Sequence, residues 1–558
     1  MKARPFLIAL LLFGSGLAAL AYQTVWVREF RLIFGASTPA SAAVLAIFMG
    51  GLGAGGLVLG AKADKRAHPL RFYGQLELLI ALAAAFSPLL LWLVRAAYIG
   101  VGGSAELGPF FATVLRLALA VVVIGLPTFL MGGTLPAAGR AVETETDVSR
   151  RRLALIYGTN TLGAVAGVVL ATFYCLEHFG NRGTLWLACG LNLVVALAAL
   201  ALARSAPPTV RAPVPPRKAT RETSRADDAK TPPLFLLLLS AGVVGFVFLL
   251  MELVWYRMMA PLLGGTTFTF GLILAVALLG IGLGSAAYSW FGGGRQPSLS
   301  AFAVTCGAEA FFLALPYALG DRIAVLTLLL RPLGAFGFYG HVFAWAQVAS
   351  IVVLPAAFIA GVQFPLLIAL LGKGREKVGA QTGLVYACNT LGAIAGSLAG
   401  GFGLLPLLSA TGAWKFAVVV LALLGVALWF FALREPAAKF RLTMAAAFTI
   451  AAGVMLFATG PTAAWRQSPI GAGRGEENTV TSPNTREEWL RQARRYVIRQ
   501  VDGVESCLGI SISGGISFLI NGKSDGNALY DSSTQVMLGV LGATLQPQAT
   551  RSLVVGLG

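Results

Sequence analysis

A chain of 558 residues that is 57% hydrophobic and 12% charged, with a mean hydropathy of +0.78, carries more apolar surface than a soluble core needs. The net charge of +18 invites a nucleic-acid reading. The basic residues instead stand in short loops beside apolar runs of ~20 residues, the length that crosses ~30 Å of hydrocarbon, so the expected partner is a lipid bilayer and not a nucleic acid. The five cysteines (Cys175, Cys189, Cys306, Cys388, Cys507) show no paired spacing, and His68, His178 and His341 are scattered, so neither a disulfide framework nor a metal site is expected.

In chain order, residues 1–203 read as a first unit of six helices: 5–33, 38–61, 72–98, 109–139, 152–175 and 183–203. Lys2 and Arg4 ahead of an apolar run resemble a signal peptide. The same segment recurs in mid-chain, where no signal peptide can stand, so it is expected to remain. Residues 204–232 hold Pro207, Pro208, Pro213, Pro215, Pro216 and seven Lys/Arg, the composition of a disordered basic linker. Its charge places it in the cytoplasm, with Lys62, Lys65, Arg66, Arg150, Arg151, Arg152, Lys373, Arg375 and Lys377 on the same side. The protein is thus expected in the cell (inner) membrane, multi-pass, with a cytoplasmic N-terminus.

Residues 233–434 read as six more helices: 233–260, 266–291, 300–327, 342–371, 380–404 and 412–433. This unit repeats the first at a constant spacing of 229 residues. Gln23, Trp26 and Arg28 fall on Glu252, Trp255 and Arg257. Gly51, Gly53 and Gly55 fall on Gly280, Gly282 and Gly284, and Pro136 falls on Pro365. The stretch from Tyr157 to Gly167 falls on Tyr386 to Gly396, keeping Asn160 over Asn389. An even helix count per unit makes the repeats parallel, related by an axis along the membrane normal. The expected fold is mainly α and polytopic. Gly163, Gly167, Gly392 and Gly396 are expected to pack the two units together through their fifth helices.

A possible thirteenth membrane helix lies in 435–460, with its apolar run at 442–459. If it spans, the rest of the chain emerges on the other side. In the last region, 485–558, residues 485–500 suggest an amphipathic helix begun by Thr485 and Glu488. Strands are expected at 507–512 and 516–520, joined through Ser513-Gly514-Gly515, with a turn at Asn521-Gly522. A helix capped by Asp531 or Ser532 is expected over 533–545, then a strand at 552–556 running into Gly556-Leu557-Gly558.

Two resemblances follow from these motifs. Gly60-x-x-x-Asp64-Lys65-Arg66 after the second helix resembles the loop motif of major facilitator transporters, whose two parallel six-helix repeats match the duplication. The second unit departs from it, with Gly293 in the place of Asp64. The segments 520–527, 533–548 and 551–558 resemble the start of the catalytic domain of spermidine synthase-like proteins, in the branch fused behind a membrane half. That resemblance implies a Rossmann-type domain, a polyamine aminopropyltransferase activity and a site for S-adenosylmethionine or its decarboxylated form, opened by Gly556 and Gly558. It places the catalytic core beyond Gly558, so the chain as written is expected to hold no such cofactor. Where the family's polyamine sites carry Gln, Tyr and His, this chain has Asp525, Thr534 and Val540. A cofactor made in the cytoplasm also conflicts with a tail beyond a spanning thirteenth helix.

Ionisable and amide groups inside spans are costly. Glu252 stands in an apolar stretch. Glu77 and Glu309 take similar places in the third helix of each unit, Asn160 and Asn389 lie among Gly and Ala, and Gln363 lies beside Pro365, where the helix is expected to break. One reading is a central cavity lined from both units, with carboxylates attracting a small cationic amine. The other is interhelical bonding, with Glu252 paired to Arg28 or Arg257. Trp26, Trp255, Arg28 and Arg257 read as interfacial anchors. Three functions stay open: the membrane portion of a fused spermidine synthase-like protein, a major facilitator-type transporter of a cationic small molecule, or a non-transporting membrane scaffold.

Overall fold

A computed structural model describes residues 3–34, 38–144, 146–147, 149–205, 233–264, 267–292, 296–372, 377–433, 435, 438–458, 482–503 and 506–551. The first unit comprises α1 (Ala3–Phe34), α2 (Thr38–Asp64), α3 (Pro69–Gly100), α4 (Gly103–Gly132), α5 (Thr134–Val142), α6 (Arg151–Leu170) and α7 (Leu176–Arg204), with a π-helical turn at Ala171–Cys175. The second comprises α8 (Leu234–Leu263), α9 (Thr267–Phe291), α10 (Leu299–Leu319), α11 (Arg322–Leu330), α12 (Phe338–Leu371), α13 (Val378–Ala399) and α14 (Leu405–Ala432), with a π turn at Gly400–Leu404. Among the described residues ten helical stretches are long and apolar enough to cross a membrane. Two of these, Arg151–Arg204 and Val378–Ala432, fold back on themselves through the π turns and a following break. That makes six crossings per unit. The ends from which residues 205 and 233 leave are called the linker end below, and the opposite ends the far end.

The duplication extends to single atoms. A Cβ on Gly16 would stand 2.0 Å from the Asn160 carbonyl oxygen, and one on Gly245 would stand 2.1 Å from that of Asn389. Gly163 lies in the same way against Phe13, and Gly392 against Gly242. No side chain fits where two helix backbones touch, so glycine is retained at both copies. The glycines expected to join the units therefore pack α6 on α1 and α13 on α8, inside each unit. The units meet through other glycines. A Cβ on Gly383 of α13 would run into the Gly56 carbonyl of α2, and one on Gly158 of α6 would stand 3.0 Å from the Gly282 carbonyl of α9. The fifth helix of each unit thus crosses to the second helix of the other.

Side chains sort by the solvent they meet. Trp26, Trp255 and Trp414 are fully buried, while Phe86, Trp92, Trp186 and Phe430 are exposed, as surfaces facing acyl chains should be. Trp26 and Trp255 are therefore packed inside their units and are not interfacial anchors. Gln363 does not sit at a broken helix: α12 runs through both Pro355 and Pro365.

The expected thirteenth segment is α15 (Lys439–Met455), 17 residues or ~25 Å long. It runs parallel to α10. Arg441 donates to Ser298 Oγ at 2.7 Å, a Cβ on Gly307 would meet the Ala445 carbonyl at 2.9 Å, and Phe448 packs on Phe311. Because α10 leads from the linker end to the far end, α15 does too, and the tail follows at the far end.

The tail has more sheet than the pattern suggested. After α16 (Pro483–Tyr496) come β1 (Val497–Asp502), β2 (Cys507–Ser511), β3 (Ser517–Ile520) and β4 (Lys523–Asn527), an antiparallel meander, then α17 (Ser532–Leu545). Residues 497–500 continue as strand and not helix, because Val497, Arg499 and Gln500 pair with Ser511, Ile510 and Gly509. The cap of α16 is Ser482, whose Oγ accepts from Thr485 N at 3.2 Å. Asn521 and Gly522 take left-handed φ of 48° and 79°, the two-residue hairpin turn their sequence suggested. Asp531 precedes α17 but accepts from Asn527 N. The expected cofactor residues Gly556 and Gly558 lie outside the described residues.

Candidate functional site

The candidate polar residues fall into separate places. Glu77 of α3 is fully buried inside the first unit. Ser15 Oγ on α1 donates to its Oε1 at 2.6 Å, and Asn192 Nδ2 on α7 donates to its Oε2. Glu309 of α10 is buried inside the second unit and accepts from Gln363 Nε2 on α12 at 2.7 Å. Asn389 Nδ2 on α13 donates to the Ala241 carbonyl on α8 at 3.1 Å. Asn160 is half-buried, with its backbone against Gly16. These groups bond within their own units and do not converge on one cavity.

Glu252 is different. It lies on α8 with 8% exposure, and no described residue gives it a hydrogen bond or an ion pair. Arg257 turns elsewhere, donating from NH1 to the Gly503 carbonyl at 2.8 Å. The indole Nε1 of Trp255, one helical turn from Glu252, is also buried without a partner. The place of Glu252 in the first unit is taken by the neutral Gln23. A buried carboxylate without donors is expensive as an anion, so it asks for a cation or a proton. Among the described residues no group of three or more His, Cys, Asp or Glu side chains is placed to hold a metal.

The units are held together by polar contacts at the linker end. Asp64, closing α2, accepts from Gly379 N at 3.0 Å and Ala380 N at 2.8 Å, capping the first turn of α13. Arg140 Nε lies 3.8 Å from the same carboxylate. Arg150 is fully buried, in a left-handed conformation with φ of 51°. It donates to the Ile368 carbonyl at 3.0 Å and to Gln381 Oε1. Arg151 Nε reaches the Ser289 carbonyl at 2.5 Å, and Tyr288 OH donates to the Ser149 carbonyl at 3.1 Å. At the far end the units meet through rings: Phe173 lies 5.4 Å from Phe268 and 6.4 Å from Phe338. Sequence reasoning found Asp64 by its motif but took Arg150 and Arg151 for loop charges. The three arginines in a row carry no sign that one of them is buried.

Beside the latch, Glu143 ends α5 and accepts from Leu153 N at 3.2 Å and Thr144 N at 3.3 Å. Burial, and then the charge of Asp147, push its carboxyl up to about 8. Burial also lowers the Arg150 guanidinium, against the pull of Glu143, Asp64 and Asp147.

The chain matches no protein-family model and no curated protein. Solved structures similar to it include several transporters. A bacterial homologue of the iron transporter ferroportin in an outward-facing state has a TM-score of 0.48 at 14% identity, covering 76% of this chain and 100% of its own. The major facilitator proton:xylose symporter XylE has 0.45 at 12%, covering 77% and 96%. The E. coli fucose:proton symporter FucP has 0.41 at 15%, covering 78% and 98%. The two-unit architecture rests on the internal contacts of this chain and not on these likenesses.

Proposed function

We propose that the protein is a membrane transporter of a small cationic molecule, with the linker end in the cytoplasm. In this reading the two units rock about the α2–α13 and α6–α9 contacts, and Glu252 receives the cationic group. The observation that carries it is the carboxylate of Glu252, more than nine-tenths buried and without a donor among the described residues, on the first helix of the second unit. The linker-end latch supports it. Charged groups that trade backbone partners between the units can exchange them for water when that end opens, whereas buried pairs inside a rigid scaffold have no such alternative. The described part of the tail adds nothing in favour of aminopropyl transfer, and we do not propose it.

The test is uptake of radiolabelled spermidine, putrescine and tetramethylammonium into proteoliposomes. Saturable uptake of at least one is expected, and Glu252→Gln should lower it by about tenfold or more with little change in melting temperature. Glu252→Asp should keep much of it. Absence of uptake of all three cations by the wild type, or full activity of Glu252→Gln, would overturn the reading.

A further inference from the structure

The first unit ties α1 to α7 at the far end with its own side chains. Asn181 Nδ2 donates to Glu29 Oε1 at 2.5 Å, one residue after the chain breaks at Gly180 with φ of 63°. The break recurs in α14 at Ser409, also at φ 63°. The residues that map onto Glu29 and Asn181 are Met258 and Ala410, and these side chains cannot make the bond. The gap is filled from the tail. Asp502, closing β1, accepts from Ala410 N at 2.9 Å through Oδ2, and its Oδ1 lies 4.0 Å from Arg257 NH1. Arg257 NH1 also donates to the neighbouring Gly503 carbonyl. The Arg257 and Asp502 side chains are 7% and 6% exposed. The amide of Ala410 opens the helix beyond the break, where the backbone dipole favours an anion.

We propose that Arg257 and the Ala410 amide form a carboxylate-binding site at the far end of the second unit, filled by the chain's own Asp502. This contact replaces the Glu29–Asn181 bond that the duplicated unit lacks. The tail sheet is then a staple of the second unit and moves with it, whichever molecule the membrane part carries. The inference does not depend on transport.

The experiment uses the full chain in detergent with a site-specific protease sequence inserted near residue 470. After cleavage, the wild-type tail should stay with the membrane part through gel filtration. Asp502→Ala and Arg257→Ala should each lower its retention by about fivefold or more, as loss of one partner of a buried charge contact does. Asp502→Asn, which keeps an acceptor for Ala410 N, should fall between. Asp525→Asn, in an exposed pair with Lys523, serves as the control and should leave the tail attached. A tail that leaves the wild type on cleavage, or that stays equally with Asp502→Ala, would overturn the proposal. Should Asp502→Ala fail to fold, release from Asp502→Asn in high salt but not from the wild type in low salt supports it, and no release overturns it.

Discussion

In the first unit Trp26 Nε1 donates to Ser87 Oγ at 3.0 Å, Glu77 takes two donors, and Glu29 meets Asn181. In the second unit the Trp255 Nε1 has no hydrogen-bond partner among the described residues, the place of Glu77 is Cys306, and the far-end bond is made by a residue from the tail. Yet the helices of both units touch at the same glycines, within tenths of an ångström. Backbone contacts survived the duplication because any side chain there pushes two helices apart. Polar pairs diverged because each can be replaced locally, by a neighbour, by an apolar residue or by another segment. The second unit is the one in which Glu252 has no donor among the described residues and the far-end contact comes from Asp502 of the tail.

The symmetric part of this comparison breaks most visibly at the fifth helices. Gly167→Leu places atoms within 2.3 Å of the Leu17 carbonyl oxygen, and Gly396→Leu within 2.1 Å of that of Phe246. Each should cost about 3 kcal/mol, the upper end of overpacking, and the two losses in melting temperature should match. A silent change at either position would show that the two packings are not equivalent. A smaller effect sharpens the asymmetry. Trp26→Phe should cost about 1 kcal/mol more than Trp255→Phe, because only the first removes a hydrogen bond. Thermal unfolding of the two variants checks this, and equal losses would count against it.

A further effect is confined to the linker end of the first unit, since Gly372 stands where Glu143 maps. A carboxyl at about 8 when folded, against 4.5 ordinarily, binds its proton more tightly in the folded state. Its contribution to stability is therefore fully present below about pH 4.5 and is lost as pH rises through about 8. The melting temperature should fall across that window in the wild type and fall less in Glu143→Gln. Parallel curves would remove Glu143 as the cause.

Much of this fold was legible because apolar length and an exact repeat are long-range signals that need no partner to be read. The twelve long apolar helices and the segment that became α15 follow from them, while residues 206–232, expected as a linker, lie outside the described residues. The hairpin turn at Asn521-Gly522 was legible for a local reason, its left-handed backbone. What stayed hidden depends on pairing. β1 and β4 are short and polar, and become strands only because β2 and β3 offer edges. Arg150 looks like its neighbours Arg151 and Arg152 until it is buried. Asp502 is an ordinary surface residue in the sequence and gains its role from a site some 90 residues earlier at Ala410. Glu252 was visible as a charge in an apolar run, but that it would lack Arg257 as a partner was not.

The course of α15 alongside α10 bears on how the chain is made. The sheet 497–527 stands at the far end, where α15 also leaves the bundle. The sheet docks on residues of both α8 and α14, Arg257 and Ala410, so its contact forms only where these two helices have packed. Cys507, wholly buried between β1 and β3, is shielded from oxidants once that contact has formed.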